Sequence, residues 1–431
     1  FNKSKFFSDS KVNYTENILK KRSNDVAINF FSETGFEEKI SWNSLYEKVC
    51  KFSCYLKSLG LKKGDRVAAY VPNKIETVIS FLACAKNGII WSSCSPDFGA
   101  QGVIERFKQI EPEVFITSDY YFYNGKKINI LERIPEIIKK IPSIKHVIIS
   151  IYPGQPVLKK LPKYKNIKTH YWNNIIKENV SKFKFPKFDF EHDLAILYSS
   201  GTTGKPKCIC HKNGGVLIQH LKEHQLHCDI KENDNVFYFT TCGWMMWNWL
   251  ISVLASKASI VLFDGFPMYK RSDLLLRLAE KEQISLFGIS AKYIDQLRKL
   301  KVNIKSIYKL KSLKTICSTG SPLSSESFEY IYKNIKKNLH LASIAGGTDL
   351  VSCFVLGNIY SPVYRGQIQN NGLAMDVDVF SEKGKSLINK KGELVCKSPF
   401  PSMPKLFWND KNNIKYKNAY FSKFKNIWYH G

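Results

Sequence analysis

Several features of secreted, membrane and zinc-binding proteins are missing from this sequence of 431 residues. No two of its 11 cysteines are spaced as Cys-x-x-Cys, which argues against a zinc ribbon or a disulfide scaffold. The most apolar window, residues 237–256, is interrupted by Thr240, Thr241, Gly243 and Asn248. This window therefore predicts a strand and a buried helix, not a membrane span. We expect reduced thiols and a cytoplasmic location.

Acidic residues are also few, with 37 Asp and Glu against 65 Lys and Arg, which gives a formal net charge of +28. Such an excess often indicates a nucleic-acid partner. The lysines are spread almost evenly, however, arginine is scarce, and no nucleic-acid-reading motif accompanies the charge. We expect no nucleic-acid partner and a mild attraction for anionic small molecules. A basic protein that binds polyanions without catalysis remains the alternative from another class.

Strand and helix patterns alternate along most of the chain, which is too long for one ordinary core. Residues 26–31 predict a strand, and Ser41 and Gly60 bound a predicted helix. Repeated alternation predicts an α/β fold with two intertwined, doubly wound parallel-sheet subdomains. From Val351 onward the helix patterns stop and strand patterns predict a smaller antiparallel β subdomain. We divide the chain into residues 1–175, 176–350 and 351–431.

A polar loop at residues 197–207 follows an apolar strand pattern directly, which is unusual for a linker. Glycines allow close approach of a bulky anion, while N–H groups, hydroxyls and lysines bind phosphate oxygens. Only two residues separate Gly201 from Gly204, and Pro206 follows the lysine, so the loop is not a Walker A motif. We predict a phosphate-binding loop that comprises Ser199, Ser200, Gly201, Thr202, Thr203, Gly204, Lys205 and Lys207.

Two further polar loops follow predicted strands, at residues 319–322 and 345–349. Ligands of parallel sheets bind at the carboxyl ends of the strands. We therefore predict that the three polar loops converge on one crevice.

The phosphate loop resembles that of the adenylate-forming superfamily, which includes the acyl-CoA synthetases. The chain is more closely similar to the acetoacetate-activating ligases of this superfamily, along essentially its whole length from residue 13. The segments that carry this resemblance are residues 214–228, 237–249 and 399–404.

The resemblance implies roles for several residues. Gly320, Ser321 and Pro322 would line the adenine pocket, and Gly347 would join them in binding the nucleotide. Thr348 would hold the α-phosphate, and Asp349 would lie near Mg²⁺, a hard cation that suits carboxylate and phosphate oxygens. Lys205, Thr348 and Asp349 form the implied catalytic set. A tight turn with an Asp cap is the structural alternative for residues 346–349.

The implied acid pocket has a glycine, Gly346, where acetyl-CoA synthetases carry a tryptophan wall. Met245, Met246 and Thr319 would line the same pocket, flanked by Trp244 and Trp247. The space favours a four-carbon acid such as acetoacetate, although butyrate would also fit. Because aromatic and Met stripes are usually packing, Trp247 and Trp249 are equally expected in the core.

The implied reaction ligates acetoacetate to coenzyme A through an acyl-adenylate, with ATP, Mg²⁺ and CoA as cofactors and release of AMP and pyrophosphate. Ligases for butyrate, another short acid or acetate are the alternatives of the same class. The chain begins at Phe1 and ends at Gly431. We expect a fragment without the family's C-terminal lid and its lysine, and hence little activity alone. The oligomeric state is not predicted.

Four residues have open interpretations. His220, His224 and His227 share one predicted helix face at a spacing that could bind zinc, with Glu223 and Cys228 nearby. A helix that covers the site is the preferred interpretation. Arg365 could pair with an anion or with the keto group.

Overall fold

The computed structural model describes residues 4–177, 183–199 and 204–430. Its strands, in chain order, are β1 (Lys11–Val12), β2 (Val26–Ser32), β3 (Glu37–Ser41), β4 (Arg66–Tyr70), β5 (Ile90–Cys94), β6 (Val114–Ser118), β7 (Tyr120–Tyr123), β8 (Lys126–Asn129), β9 (His146–Ser150), β10 (Lys168–Tyr171), β11 (Phe188–Asp189), β12 (Asp193–Ser199), β13 (Lys207–Lys212), β14 (Asn235–Tyr238), β15 (Ser259–Asp264), β16 (Leu286–Ser290), β17 (Thr315–Thr319), β18 (His340–Ser343), β19 (Ala345–Gly347), β20 (Ser352–Leu356), β21 (Asn370–Asn371), β22 (Val377–Phe380), β23 (Glu393–Cys396), β24 (Leu406–Phe407) and β25 (Trp428–Tyr429).

The helices are α1 (Tyr14–Ile18), α2 (Trp42–Ser58), α3 (Ile75–Asn87), α4 (Ala100–Phe107), α5 (Ile134–Lys140), α6 (Trp172–Ile175), α7 (Asn213–Lys222), α8 (Met245–Ser252), α9 (Leu274–Lys281), α10 (Ala291–Lys299), α11 (Ser325–Tyr330) and α12 (Ile414–Phe421). Short 3₁₀ turns cover Leu131–Arg133, Val253–Ser256, Ile304–Ser306 and Lys411–Asn413, and π-helical turns cover Glu223–His227 and Ile331–Ile335. No helix in these described ranges is long and apolar enough to cross a membrane.

Two large sheets form the body of the protein. The first has the order β10-β9-β6-β4-β5-β12-β13-β24, parallel from β10 to β12. The second has the order β18-β17-β16-β14-β15-β2-β3, with only β3 antiparallel to its neighbour. The smaller sheets β19-β20-β21 and β22-β23-β25 are antiparallel. The predicted fold class is therefore confirmed.

The two large sheets exchange segments along the chain. Strands β2 and β3 join the second sheet, although they precede every strand of the first sheet. The largest buried cluster lies between the sheets and includes the helices α3 and α8. In it, Trp247 stacks on Trp91 of β5 with 6.5 Å between ring centroids, and its Nε1 donates to Asn73. The boundaries at residues 175 and 350 stay predictions.

Two local predictions have different outcomes. The helix predicted from Ser41 is confirmed, because the Ser41 hydroxyl caps α2 by accepting from the Ser44 N–H at 3.2 Å. The prediction that helices stop at Val351 is wrong, because α12 forms at residues 414–421. Its Tyr416 and Tyr420 are buried one turn apart against Phe407 and Trp428. An aromatic spacing of four residues was the overlooked helical signal.

Candidate active site

A cavity of about 440 Å³ lies where α8 begins and β17 and β18 end. It brings together the residues predicted for the acid pocket, namely Trp244, Met245, Met246, Thr319 and Gly346. It also brings together predicted nucleotide-binding residues, namely Gly320, Ser321, Pro322, Gly347 and Thr348. Two of the three polar loops thus meet at one cavity.

Sheet register explains why these two loops meet. Strands β17 and β18 are parallel neighbours, and Ser318 pairs with Ser343 at their carboxyl ends. The chain then leaves both strands at the same edge, where Thr319 and Ile344 line the cavity. The Ile344 N–H donates to the Ser318 carbonyl at 2.9 Å and holds the two exits together.

The first turn of α8 supplies the apolar wall. Trp244 takes the N-cap position, and the next two residues, Met245 and Met246, are 5% and 1% exposed. Trp247 and Trp249 are equally buried but do not line the cavity. The core interpretation of these two tryptophans is therefore correct.

A hairpin of β19 and β20 supplies the opposite wall, with Gly346 paired to Cys353 and Gly347 to Ser352. A Cβ atom at position 346 would lie 1.9 Å from the Ser352 carbonyl oxygen and 2.5 Å from the Cys353 Cα. This backbone accepts only glycine there. The sequence argument treated Gly346 as a missing side-chain wall, and the structure adds a second reason for glycine: the two strands approach too closely for any side chain.

The hairpin turn holds Thr348 and Asp349, and the half-buried Asp349 carboxylate is bound from α12. Its Oδ1 accepts a hydrogen bond from the Tyr420 hydroxyl. Burial, and next the negative charge of Asp349, raise the pKa of Tyr420 well above its usual value.

His430 lies beside the same hairpin, its ring 4.9 Å from that of Phe354. Burial lowers the pKa of His430, and the charge of Lys207 lowers it further while Asp349 opposes both. The hairpin turn thus carries the Asp349 carboxylate, and the basic side chain of Lys207 is close enough to act on the same histidine as that carboxylate.

The third polar loop is described only at its two ends. Ser200, Gly201, Thr202 and Thr203 lie outside the described residues. Lys205 and Lys207 line a second hollow of about 570 Å³, with Lys415 and no carboxylate among its described lining residues. Lys207 also lies 5.7 Å from the ring centroid of Tyr420, whose hydroxyl binds Asp349. The described end of the predicted phosphate loop, at Lys207, is therefore linked to the hairpin turn through Tyr420.

Ser199 and Gly204 mark where the description of this loop stops and resumes. Ser199 ends β12, and its hydroxyl has no hydrogen-bond partner in the part of the chain that is described. Gly204 is exposed with a φ of 124°, a conformation that side chains rarely adopt.

Three histidines predicted to share one helix face are all buried, but a π-helical turn after Lys222 changes that face. His220 bonds Ser252 and the Val351 carbonyl, at 2.7 and 2.6 Å. His227 bonds the Gly357 carbonyl at 2.8 Å and accepts from the Leu373 N–H at 3.0 Å. The two ring nitrogens of His224 have no hydrogen-bond partner within the described ranges, and burial lowers the pKa of His224 well below the ordinary value. With both nitrogens of His220 and His227 engaged, this cluster is packing behind the cavity.

Arg365 lies in an ion pair with Glu329 and is 64% exposed. Its neighbours Gly366 and Ile368 line the cavity, whereas Arg365 does not. The suggested contact of Arg365 with the substrate is therefore not supported by its position.

The sequence argument missed several residues around the site. Tyr420 and His430 reach the hairpin from the last part of the chain, and no local pattern relates them to Asp349. Glu223 appeared only as a possible metal ligand, although it is a fully buried carboxylate behind the cavity. A charged residue within an apolar helical stretch was the available signal.

Comparison with known proteins gives a consistent result. The sequence model of the family described as "AMP-binding enzyme" matches residues 15–404. The chain is 45% identical over 427 residues to an acetoacetyl-coenzyme A synthetase of Rhizobium meliloti (strain 1021), covering 99% of this chain and 65% of that protein. It is 42% identical over 432 residues to the acetoacetyl-CoA synthetase of Gallus gallus, covering 99% and 64%. The solved acetoacetyl-CoA synthetase from Streptomyces lividans superposes with a TM-score of 0.92 at 36% identity, covering 98% and 65%. The chain thus spans slightly less than two thirds of the length of these relatives.

Proposed function

Since this chain belongs to the AMP-binding enzyme family, we propose that its parent protein ligates acetoacetate to coenzyme A with ATP. The observation that carries the proposal is the single cavity in which an apolar wall, Met245 and Met246, faces the loop residues Gly320 to Pro322. An acid and the adenosine part of a nucleotide would thereby be held side by side. The relatives named acetoacetyl-CoA synthetase support this choice of acid.

In the proposed first step, an oxygen of the acid's carboxylate attacks the α-phosphorus of ATP. A P–O bond forms as the bond to pyrophosphate breaks, which gives the acyl-adenylate. In the second step the CoA sulfur attacks the acyl carbon, AMP leaves, and the thiol proton passes to solvent. Positioning and charge neutralisation supply most of such catalysis.

The chain's own residues would act at three points. Thr348 at the hairpin turn would donate to an α-phosphate oxygen, and Lys205 and Lys207 would neutralise the departing pyrophosphate. Asp349 fits Mg²⁺, because a half-buried carboxylate at a turn is a suitable ligand for a hard cation. When bound, Mg²⁺ would neutralise phosphate charge. The predicted roles of Ser199 to Gly204 in binding phosphate belong to the same proposal.

The apolar wall supports a short, uncharged acyl tail. Trp244, Met245 and Met246 offer no charged group to it, and the half-buried Thr319 offers a hydroxyl. We include a cytoplasmic location in the proposal, supported by 11 cysteines that are all free. Residues 1–175, 176–350 and 351–431 remain our proposed division of the chain.

The test is pyrophosphate release by the complete natural protein, given ATP, Mg²⁺, CoA and one acid at a time. We expect release with acetoacetate well above that with acetate or butyrate. Comparable rates with several acids would instead support a general short-chain ligase. No release with any of the acids, together with a salt-dependent gel shift on RNA, would support the polyanion-binding alternative.

A further inference from the structure

One buried carboxylate lies behind both walls of the cavity. Glu223 is fully buried at the start of the π-helical turn Glu223–His227. It does not line the cavity, whereas Ser352 and Cys353, which it contacts, do. A buried carboxylate is costly unless donors surround it, so its surroundings indicate what it stabilises.

The two oxygens of Glu223 are bound to different walls. Oε1 accepts from the Ser352 hydroxyl, from the Cys353 N–H at 3.4 Å and from the Gln219 side chain at 3.2 Å. Oε2 accepts from the indole N–H of Trp249 at 2.9 Å. Ser352 and Cys353 belong to the hairpin stem, Gln219 belongs to α7, and Trp249 belongs to α8, which begins with the two methionines.

The hairpin stem is a sensitive point for cavity shape. Gly346 approaches Ser352 and Cys353 so closely that a Cβ has no room. A movement of these two residues would therefore move Gly346 and the opening of the cavity with it. The hairpin turn has a separate attachment, since Asp349 is bound by Tyr420 of α12.

We propose that Glu223 is a positioning residue that sets the spacing between α8 and the hairpin, and thereby the length of acid that the cavity accepts. This proposal rests on the function proposed above. Glu223 does not line the cavity and acts on its two walls through Ser352, Cys353 and Trp249. Its other contacts, with Gln219 and Lys222, lie within its own helical segment. Because the hairpin turn is attached independently, nucleotide binding should depend on Glu223 much less than acid binding does.

The decisive variant is Glu223→Gln, which keeps the shape of the side chain. A glutamine has one acceptor oxygen and one NH₂ group, so in either orientation its NH₂ faces a backbone or an indole N–H donor. One wall must then separate from residue 223. We expect the KM for acetoacetate in the complete natural protein to rise about tenfold, with the KM for ATP within about twofold of wild type. The preference for acetoacetate over longer acids should fall.

A second variant separates positioning from simple loss of folding. Trp249→Phe removes the bond to Oε2 and part of the indole ring, and keeps an aromatic ring in the core. We expect the KM for acetoacetate to rise here as well. In the double variant, the change in binding free energy should be smaller than the sum of the two single changes. Glu232→Gln is the matched control, because Glu232 is about half exposed and lies outside the cavity.

The outcomes distinguish the two proposals. If the wild-type protein releases no pyrophosphate with any acid, the proposed function is wrong. If it is active but Glu223→Gln and Trp249→Phe lower thermal stability and leave acid KM and acid preference at wild-type values, Glu223 is merely structural and the positioning role is wrong. A parallel rise in the KM for ATP would likewise contradict the positioning role.

Discussion

The proposed acyl end and the proposed phosphate end of the crevice are built in different ways. At the acyl end, formed by Trp244, Met245, Met246 and the hairpin stem of β19 and β20, the side chains are largely buried and the backbones are in close contact. At the phosphate end, Lys205 is exposed and Lys207 and Asp349 are only half-buried. The shape of the acyl end is therefore fixed before a ligand binds, whereas the phosphate end presents accessible charged side chains. Substitutions should accordingly have large, all-or-none effects at the acyl end and graded effects at the phosphate end.

The largest effect is expected from Gly346→Ser in the hairpin stem. The new Cβ would lie 1.9 Å from the Ser352 carbonyl oxygen, so the backbone must move. Such overpacking commonly costs about 1–3 kcal/mol. With a backbone atom as the obstacle, we expect a loss of about 3 kcal/mol or more in the free energy of unfolding, measured by urea titration.

Gly99→Ser is the matched control for this prediction. A Cβ at Gly99 meets nothing within 4 Å, and serine suits its position as the N-cap of α4. We expect a change of less than about 0.5 kcal/mol. If Gly346→Ser lowers the free energy of unfolding no more than Gly99→Ser does, the hairpin stem is not closely packed.

The next effect concerns the buried histidines behind the acyl end. Burial lowers the pKa of His224 well below its ordinary value of 6.5, so folded protein keeps it neutral while unfolded protein binds a proton. Stability from this group is present above pH 6.5 and is lost as the pH falls. At pH 5, the difference from pH 7.5 amounts to about 2 kcal/mol for one such histidine.

His224→Leu tests this titration with urea unfolding at both pH values. Leucine removes two buried nitrogens that have no hydrogen-bond partner in the described part of the chain. We expect the loss of stability between pH 7.5 and pH 5 to shrink by about 2 kcal/mol. His227→Leu should instead destabilise at both values, because His227 makes two hydrogen bonds. An unchanged pH dependence in His224→Leu would contradict a neutral, buried His224.

The predictions for Gly346 and His224 concern features that differ in how far they can be predicted from the sequence. The phosphate-binding role of residues 199–207 stays a prediction, which depends on the chemistry of adjacent glycines, hydroxyls and lysines. The meeting of residues 319–322 with residues 345–349 was predictable, since parallel strands end at one edge. The backbone contact at Gly346 was not, because it depends on how closely β19 and β20 approach, and nothing in the local sequence records that distance.

The contacts of Glu223 and Asp349 illustrate the same limit. Each carboxylate is bound by residues more than 20 positions away along the chain: Glu223 by Trp249 and Ser352, and Asp349 by Tyr420. The bonds of Glu223 to Trp249 of α8 and to Ser352 of β20 arise only when these distant elements pack together in the folded chain. Residue type identified the chemistry, but tertiary packing decided which side chains take part.

At the phosphate end, Lys207→Gln should weaken ATP binding by about fivefold, or about 1 kcal/mol. The effect is modest because solvent reaches the half-buried Lys207 and weakens its attraction for phosphate. Equilibrium dialysis of radiolabelled ATP against this chain of 431 residues measures the change. Lys159→Gln is the control, since Lys159 is exposed and lines neither cavity. Equal weakening in both variants would indicate general charge attraction in place of a site.

The smallest effect is expected from Tyr420→Phe, which removes the hydroxyl that binds Asp349. The Asp349 carboxylate stays half-buried and within reach of solvent, so the loss is one of orientation only. We expect the Mg²⁺ concentration for half-maximal ATP binding to rise about threefold, which corresponds to about 0.7 kcal/mol. Tyr416→Phe is a matched control on the same helix, because its hydroxyl donates to the Pro404 carbonyl at 3.0 Å and not to Asp349. If both variants shift the Mg²⁺ dependence equally, the effect comes from α12 as a whole, and the charge at the phosphate end does not depend on this bond. If only Tyr420→Phe shifts the Mg²⁺ dependence, the hydrogen bond from Tyr420 holds Asp349 in position. One residue of the phosphate end is then fixed by the structure before binding, as the acyl end is.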